Sequence, residues 1–383
     1  MNRYLSSFIA RDVVDKMVFV TGPRQVGKTT LAKSLNERFR HPLYLNYDSV
    51  KDRQRITNAD WPSTHDYVIL DEIHAKSDWK SYLKGVFDTK PDHQSLLVTG
   101  SARLDTFRQT GESLAGRYFR WRLHPFSLKE FLPHVAGEDQ ALESLLRFGG
   151  FPEPLIKGTD SGRKRWQNQY FTDLVREDIV EFSRIHEIRS MRLLLEMLRT
   201  RTGSPLSFDA LGREIGVSSN TIRSYIEILE SLHIVFLVRP YHRNVSRALS
   251  KAPKLYFCDW AYVNDTKDNS PDSGARFENL VACHLLKHVQ FLADSEGSSL
   301  QLHYVRTTSD HEIDFVLADE NGEAQQFIEA KVGDTKPSSF LVKTAADHPN
   351  ANSIQLVLRT PHGFDANGVG VRPAAQWLAA LAA

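Results

Sequence analysis

The chain has 383 residues, of which 41% are hydrophobic and 25% are charged, a composition typical of a globular protein with room for two or three domains. No apolar run approaches the ~18 residues that a membrane span needs, and the first residues lack the apolar core of a secretion signal. Two cysteines, Cys258 and Cys283, are too few for a disulfide framework. We therefore expect a cytoplasmic protein with no membrane partner.

The net charge of +1 conceals an uneven distribution of charge along the chain. Lys and Arg outnumber Asp and Glu by 27 to 24 in residues 1–183 and by 12 to 6 in residues 184–254. They are outnumbered by 9 to 17 in residues 255–383. Because nucleic acids attract positive charge, we expect the middle segment to hold a DNA partner.

The first motif is a glycine-rich loop between a predicted strand, residues 17–21, and a predicted helix with apolar residues at helical spacing. It has the form G-x-x-x-x-G-K-[ST], whose glycines permit a tight turn that aims backbone N–H groups at phosphates. Lys28 would reach the β- and γ-phosphates, and the Thr29 hydroxyl would ligate Mg²⁺. The loop predicts ATP and Mg²⁺ as ligands, bound by Gly22, Pro23, Arg24, Gln25, Val26, Gly27, Lys28, Thr29 and Thr30.

A second predicted strand, residues 67–70, closes on the paired carboxylates of Asp71 and Glu72. At this distance behind a phosphate-binding loop, such a pair is typical of the acidic residues of an ATPase. We expect Asp71 to hold the Mg²⁺ through its water shell and to complete the nucleotide site. We expect Glu72 to polarise the attacking water.

Two further residues are candidates for sensing the γ-phosphate. A third predicted strand, residues 95–99, leads into Ser101, which we predict as the sensor, with Thr99 as the alternative. Arg117 stands just before another predicted strand and could reach the γ-phosphate of a neighbouring subunit, where it would stabilise transition-state charge. A surface ion pair is the alternative role for Arg117.

The basic middle segment predicts a winged helix-turn-helix. A short helix after Leu206 ends at the Gly216 turn, Ser218-Ser219 can cap a second helix, and a strand over 234–239 precedes a basic wing. The outward residues would contact DNA bases and phosphates, and they are Asn220, Arg223, Arg243 and Arg247. A winged helix used only for packing or as a lid is the alternative.

The acidic C-terminal third predicts a hairpin with carboxylates on one face. Asn321-Gly322 separates strands over 312–317 and 326–331, and the register of a two-residue turn sets Asp314 opposite Glu329. Lys331 falls on the same face because strand side chains alternate. With Glu278 from a predicted helix, Asp314 and Glu329 would hold Mg²⁺, and Lys331 would activate a water that attacks a phosphodiester. A degenerate, structural copy of such a site is the alternative.

Together these motifs resemble a family of bacterial and archaeal AAA+-type ATPases. The resemblance covers nearly the whole chain and rests on the loop, the Asp71-Glu72 pair, and the segments T-G-S (99–101), A-G-R (115–117), L-x-P-F-S-x-x-E-F (123–131), G-G-F-P-E-P (149–154), F-E-N (277–279), E-I-D-F-V (312–316) and I-E-x-K (328–331). It implies an α/β fold with a P-loop AAA+-type parallel-sheet ATPase domain and assembly into a homo-oligomer. We expect that domain at 1–155, a helical linker at 156–200, the winged helix-turn-helix at 201–253 and a restriction-endonuclease-like α/β domain at 254–383.

The function predicted from these features is a Mg²⁺-dependent ATPase that acts on DNA, in the form of branched or broken duplex, with a possible nuclease site. The alternative, from another class, is a nucleotide-operated regulatory or defence switch in which ATP controls assembly with a protein partner. Stimulation of ATP hydrolysis by DNA distinguishes the two.

Overall fold

The computed structural model describes residues 3–100, 114–174, 188–241, 252–264, 270, 273–307 and 309–383. The chain divides into two compact units. The first holds residues 1–124 with 231–233, and the second holds residues 125–230 with 234–383. No helix of the described residues is long and apolar enough to cross a membrane.

The first unit is a parallel sheet with helices packed against it. Its strands are β1 (Met17–Thr21), β2 (Pro42–Asn46), β3 (Tyr67–Asp71), β4 (Ser95–Thr99) and β5 (Tyr118–Arg122). Its α-helices among the described residues are α1 (Ser6–Asp15), α2 (Lys28–Ser34), α3 (Val50–Thr57) and α4 (Trp79–Thr89). The strand order is β2-β3-β4-β1-β5, and every neighbouring pair is parallel.

All five residues of each of the strands β1, β3 and β4 are buried. Because both faces of a parallel sheet are covered, such strands carry continuous apolar runs rather than alternating patterns. The core on one side includes Phe19, Val68, Leu70, Leu83 and Val98. Since the strands run the same way, the residues that end β1, β3 and β4 share one edge of the sheet.

The second unit contains a mixed sheet of eight strands in the order β12-β13-β11-β10-β9-β8-β6-β7. The strands are β6 (Val235–Pro240), β7 (Lys254–Phe257), β8 (Gln301–Arg306), β9 (Glu312–Ala318), β10 (Ala324–Lys331), β11 (Asn352–Val357), β12 (Phe364–Ala366) and β13 (Val369–Pro373). The described α-helices that follow α4 are α5 (Leu128–Phe131), α6 (Glu138–Phe148), α7 (Pro152–Lys157), α8 (Asp160–Asp173), α9 (Ile188–Arg199), α10 (Phe208–Ile215), α11 (Ser219–Ser231), α12 (Gly274–Glu296), α13 (Ser339–Asp347) and α14 (Ala374–Ala379). The long helix α12 packs on the strands β7, β8 and β10.

The register predicted for the β9–β10 hairpin is confirmed over residues 326–328. Phe327 lies opposite Val316, and Ile328 lies opposite Phe315. The turn differs from the predicted two-residue turn, because Ala324 lies opposite Ala318 and the register shifts before Gln326. Phe315 and Ile328 are fully buried in one core cluster, as predicted. Ile313, which was predicted on the same face, is instead buried in a second cluster with Val316 and Phe327.

The strand predicted to precede the wing, β6, joins the large sheet. β6 pairs antiparallel with β7 and parallel with β8. Val235, Phe236 and Val238 are buried, as expected of an inner strand. The basic segment 242–247 predicted as the wing lies outside the described residues. The segments predicted as separate domains, 201–253 and 254–383, therefore share one sheet.

The first unit ends at His124, whereas the sequence predicted its end at residue 155. The physical reason lies in the short segment that follows. Ser127 and Glu130 form a capping box on α5, and the Glu130 carboxylate makes a buried ion pair with Lys287 of α12. The Leu128 N–H donates to Nε2 of His284, also on α12, across 2.9 Å. These buried polar bonds fix the segment in the second unit.

Candidate functional site

The phosphate-binding loop leaves β1 through a sequence of backbone conformations that favour glycine. Gly22 has φ +141° and Gly27 has φ +99°, and Gln25 between them has φ +61°. A Cβ atom on Gly22 would lie 2.2 Å from the carbonyl oxygen of Leu123, so no side chain fits there. The loop can therefore approach a ligand closely with its backbone.

Lys28 crosses the loop from the first residue of α2. Its side chain is buried, with 8% of the residue exposed, and Nζ donates to the carbonyl oxygens of Gly22 at 3.0 Å and Pro23 at 2.7 Å. The ammonium group thus lies at the inner surface of the loop, where positive charge suits a phosphate chain.

The remaining loop residues differ in exposure. Val26 is fully buried, and its carbonyl oxygen accepts a hydrogen bond from Arg3 Nη1 at 2.8 Å. Arg24, Gln25 and Thr30 are exposed. The buried Val26 side chain therefore packs inside the domain, whereas the exposed side chains of the loop are accessible to a ligand.

Asp71 ends β3 and receives hydrogen bonds from three hydroxyl groups. Thr29 Oγ1 and Tyr44 OH each donate to its Oδ2 at 2.8 Å, and Thr99 Oγ1 donates to its Oδ1. The Thr29 and Asp71 oxygens are hard donors of the kind that Mg²⁺ takes in proteins. The residues present at this point therefore fit a magnesium ion.

Glu72 follows Asp71 in a left-handed conformation, with φ +55°. Its backbone N–H donates to Thr99 O at 3.1 Å, and its Oε2 lies 3.2 Å from Nδ1 of His74. Burial, followed by the neighbouring charge of Asp71, raises the pKa of the Glu72 carboxyl to about 7. A carboxyl group with a pKa near neutrality is suited to accept a proton from water.

Arg117 makes an ion pair within the first unit. Its Nε and Nη2 donate to the two carboxylate oxygens of Asp88 at 2.7 and 3.0 Å, and both side chains are partly exposed. Of the two roles predicted for Arg117, the surface ion pair is the one present in this arrangement. Ser101 lies outside the described residues, while the alternative sensor Thr99 donates to Asp71.

Sequence reasoning missed Tyr44 and His74. Tyr44 lies on β2, the edge strand next to β3, with Lys33 Nζ 3.6 Å from its ring centroid. Burial and the hydrogen bond to Asp71 raise the pKa of the Tyr44 hydroxyl well above its usual range. Tyr44 is the middle residue of β2 and lies opposite Ile69, so its position in the sequence did not mark it as a neighbour of Asp71.

In the second unit, α10 and α11 form two helices joined by a turn. Gly216 ends α10 with φ +85°, and the Ser218 hydroxyl accepts a hydrogen bond from the Thr221 N–H at 3.1 Å.

Asn220 and Arg223 are exposed on α11, as predicted for outward residues. The Arg223 guanidinium lies 4.7 Å from the ring centroid of Phe208. Arg243 and Arg247 lie outside the described residues.

Glu278 and Asp314 lie near each other, but a lysine that the prediction did not include lies between them. Lys254 Nζ is 3.3 Å from Glu278 Oε1 and 3.9 Å from Asp314 Oδ1, and it also pairs with Glu312. Burial, followed by the charge of Glu278, raises the pKa of the Asp314 carboxyl to about 7. Within the part of the chain that the structure describes, no group of three or more His, Cys, Asp or Glu side chains is arranged to hold a metal ion.

Glu329 and Lys331 form an ion pair on β10, and Lys331 is also close enough to Asp314 and Glu278 to interact with their charges. Lys331 Nζ is 2.8 Å from Glu329 Oε1, and Ser338 Oγ donates to Glu329 Oε2 at 2.6 Å. Glu329 is buried, whereas the Lys331 side chain is 37% exposed. The Glu329 oxygens thus have protein partners of their own.

Three families of domains match successive parts of the chain. Residues 14–132 match a family described as an AAA domain, and this range covers the sheet and the site at its edge. Residues 139–273 and 273–361 match two domains of unknown function, DUF8612 and DUF4143. The first unit is therefore a AAA-type, P-loop ATPase-like domain with a parallel sheet.

The chain is also similar to uncharacterized proteins of other organisms. A protein of Mycobacterium tuberculosis is 25% identical over 311 residues, which make up 79% of this chain and 67% of that protein. A protein of Methanocaldococcus jannaschii is 22% identical over 346 residues, or 82% of this chain and 75% of that protein. The similarity thus extends beyond the ATPase-like unit.

Among solved structures, a Walker-type ATPase of Pyrococcus abyssi is similar with a TM-score of 0.42 and 13% identity, covering 60% of this chain and 89% of that one. A variant of RuvB from Thermotoga maritima is similar with a TM-score of 0.30 and 17% identity, covering 61% of this chain and 88% of that one.

Proposed function

We propose that the protein hydrolyses ATP in the presence of Mg²⁺, at the sheet edge where the phosphate-binding loop meets the ends of β3 and β4. The observation that carries this proposal is the bond from Thr29 to Asp71, with Lys28 in the loop on one side and Glu72 on the other. These four groups supply what phosphoryl transfer to water requires, namely phosphate contacts, metal ligands and a base.

In this proposal Lys28 leaves its carbonyl partners and binds the β- and γ-phosphates of ATP. Thr29 and Asp71 hold the Mg²⁺, which when bound neutralises phosphate charge. Water attacks the γ-phosphorus, the bond to the β–γ bridging oxygen breaks, and Glu72 accepts the proton that the water loses. The Glu72 pKa near 7 supports this role for its carboxylate.

The test is release of phosphate from ATP by the purified full chain. We expect release that depends on Mg²⁺ and stops when EDTA is added. Lys28→Ala should bind ATP weakly, because the phosphates lose their cation. If Lys28→Ala hydrolyses ATP at the rate of the parent, the observed activity arises elsewhere and the proposal fails.

We also propose that DNA is the polymer on which the ATPase acts, and that it contacts α11. Two observations support this. Asn220 and Arg223 are exposed on the second helix of a helix-turn-helix, and the segment 184–254 has twelve basic residues against six acidic ones. The Phe208 ring beneath the Arg223 guanidinium limits the conformations of that long side chain.

Two measurements test the DNA proposal. ATP hydrolysis should rise with duplex, single-stranded or four-way junction DNA. Arg223→Ala should lower DNA affinity and reduce the log–log salt slope by about one unit, as expected for one lost phosphate contact. Arg213→Ala is the matched control, since Arg213 is an exposed arginine on the other helix of the pair. If DNA neither binds nor stimulates hydrolysis, the result favours the alternative function, a nucleotide-operated regulatory or defence switch.

DNA cleavage is not part of the proposal. The carboxylates predicted as its metal ligands have partners within the protein, Lys254 for Glu278 and Asp314, and Lys331 with Ser338 for Glu329. Assembly into a homo-oligomer and a cytoplasmic location stay predictions from the sequence.

A further inference from the structure

We propose that the ammonium group of Lys254 is the permanent cation of an acidic cluster formed by Glu278, Glu312 and Asp314. In this arrangement the cluster binds no divalent ion, and the second unit uses a lysine where a nuclease would use a metal.

The contacts of Lys254 carry the proposal. Its side chain is fully buried, with 0% of its surface exposed, although its carboxylate partners keep 22%, 28% and 15% exposure in the order Glu278, Glu312 and Asp314. A buried ammonium group is costly unless it is paired, and here three carboxylates from two elements, α12 and β9, surround it. The ring of Tyr304 adds a fourth neighbour, with its centroid 5.4 Å from Nζ.

The carboxylate oxygens have further partners that reduce their availability to a metal. Tyr256 OH donates to Glu278 Oε1 at 2.7 Å, which is also the oxygen nearest Lys254. Asp314 Oδ2 accepts from the Ala330 N–H at 2.8 Å. Arg306 Nη1 is 3.5 Å from Glu312 Oε2. The protein's own donors thus already reach each of the three carboxylates.

The position of Lys254 on β7 explains why the ammonium group enters this cluster. Strand side chains alternate, so Lys254 and Tyr256 share one face, and both reach Glu278. Gly203, with φ +74°, packs against the same carboxylate: a Cβ atom on Gly203 would be only 2.9 Å from Glu278 Oε1. The cluster is therefore enclosed by backbone on one side and by Lys254 on another.

Electrostatics decides between lysine and metal. A divalent ion needs carboxylate oxygens at about 2.0–2.6 Å. An ion held by Glu278 and Asp314 would then face the ammonium group of Lys254 at short range, in a setting that screens charge poorly. Because Lys254 is fully buried, it cannot move aside into water without opening the fold. The only divalent ion in the proposed chemistry is then the one that accompanies ATP.

The first test is a titration of the nucleotide-free full chain with Mn²⁺, in which binding is measured by isothermal titration calorimetry. We expect the parent and Asp314→Asn to give the same isotherm. The proposal is overturned if the parent binds one Mn²⁺ per chain and Asp314→Asn weakens that binding by about tenfold or more, while Thr29→Ala leaves it intact.

The second test is thermal unfolding in EDTA. Lys254→Met removes the buried cation that the three carboxylates share, and among the described residues only Glu312 of the three keeps an ion pair, with Arg306. We therefore expect the melting temperature to fall by about 10 °C. Lys343→Met is the control and should have little effect, because Lys343 is an exposed lysine of the same unit. A Lys254→Met protein that melts at the parent's temperature would contradict the proposal. If that variant does not fold, the Mn²⁺ comparison decides.

Discussion

The Thr29 hydroxyl donates to the Asp71 carboxylate across 2.8 Å, joining the first turn of α2 to the end of β3. The two residues are far apart in the chain, and the parallel sheet brings them together because β1 and β3 end at one edge. Thr99 and Tyr44 donate to the same carboxylate from the neighbouring strands β4 and β2. Asp71 is thus held by hydroxyl groups from three directions.

This arrangement predicts a role for Tyr44 in positioning Asp71. Tyr44→Phe removes one of the three hydroxyl donors while keeping the ring, so we expect ATP hydrolysis to fall by about tenfold, with a higher Mg²⁺ requirement. The measurement is the rate of hydrolysis as a function of Mg²⁺ concentration. Tyr82→Phe is the control, because the Tyr82 hydroxyl donates to Ile56 O and has no bond to Asp71. Equal Mg²⁺ dependence in Tyr44→Phe and the parent would remove Tyr44 from the site.

The ion pair between Arg117 and Asp88 gives a second prediction. If the pair is structural, Arg117→Ala and Asp88→Ala should behave alike, with hydrolysis at the parent's rate and little change in melting temperature, because both partners are solvent-accessible. A finger that acts on a neighbouring subunit predicts the opposite. In that case Arg117→Ala alone would lose activity, and mixing it with Glu72→Gln subunits would restore part of it.

His284 gives a prediction on stability and pH. Its Nε2 accepts from the Leu128 N–H and its Nδ1–H donates to Leu280 O, so both ring nitrogens are used by the neutral form. Burial lowers the pKa of this imidazole from 6.5 to about 4. Between these values the unfolded chain binds a proton that the folded chain does not, so stability falls as the pH falls.

The comparison of the parent with His284→Gln isolates this effect. From pH 7 to pH 5 we expect the parent to lose about 2 kcal/mol more unfolding free energy than the variant. The measurement is chemical denaturation at the two pH values. The pKa values of buried Asp259 and Asp314 are raised, which acts in the opposite direction, but both proteins carry these groups. If the two proteins lose the same unfolding free energy between pH 7 and pH 5, the pKa of His284 is not lowered in the folded chain.

The sequence predicts the ATPase-like unit well because its signals are local. A loop such as 22–29 carries its own conformational requirements, and the carboxylates of Asp71 and Glu72 directly follow an apolar strand. The β9–β10 register was predicted correctly for Gln326 to Ile328, but the turn was not, because Ala324 pairs with Ala318 and a register shift follows it.

The features that sequence reasoning missed depend on pairing between distant segments. Lys254 begins a strand and gives no local sign that its ammonium group is buried among carboxylates of α12 and β9. The boundary at His124 depends on the buried pair of Glu130 and Lys287, which are remote in the chain. That β6 is an inner strand likewise follows only from its pairing with β7 and β8, which lie later in the chain.

The most direct test of the proposed ATPase is a comparison of binding with hydrolysis in Glu72→Gln. The amide keeps the size of the side chain but cannot take a proton from water, whereas Lys28, Thr29 and Asp71 stay intact. We expect Glu72→Gln to bind Mg²⁺–ATP as tightly as the parent and to hydrolyse it at least about a hundredfold more slowly in a single turnover. Hydrolysis by Glu72→Gln at the parent's rate would contradict the account.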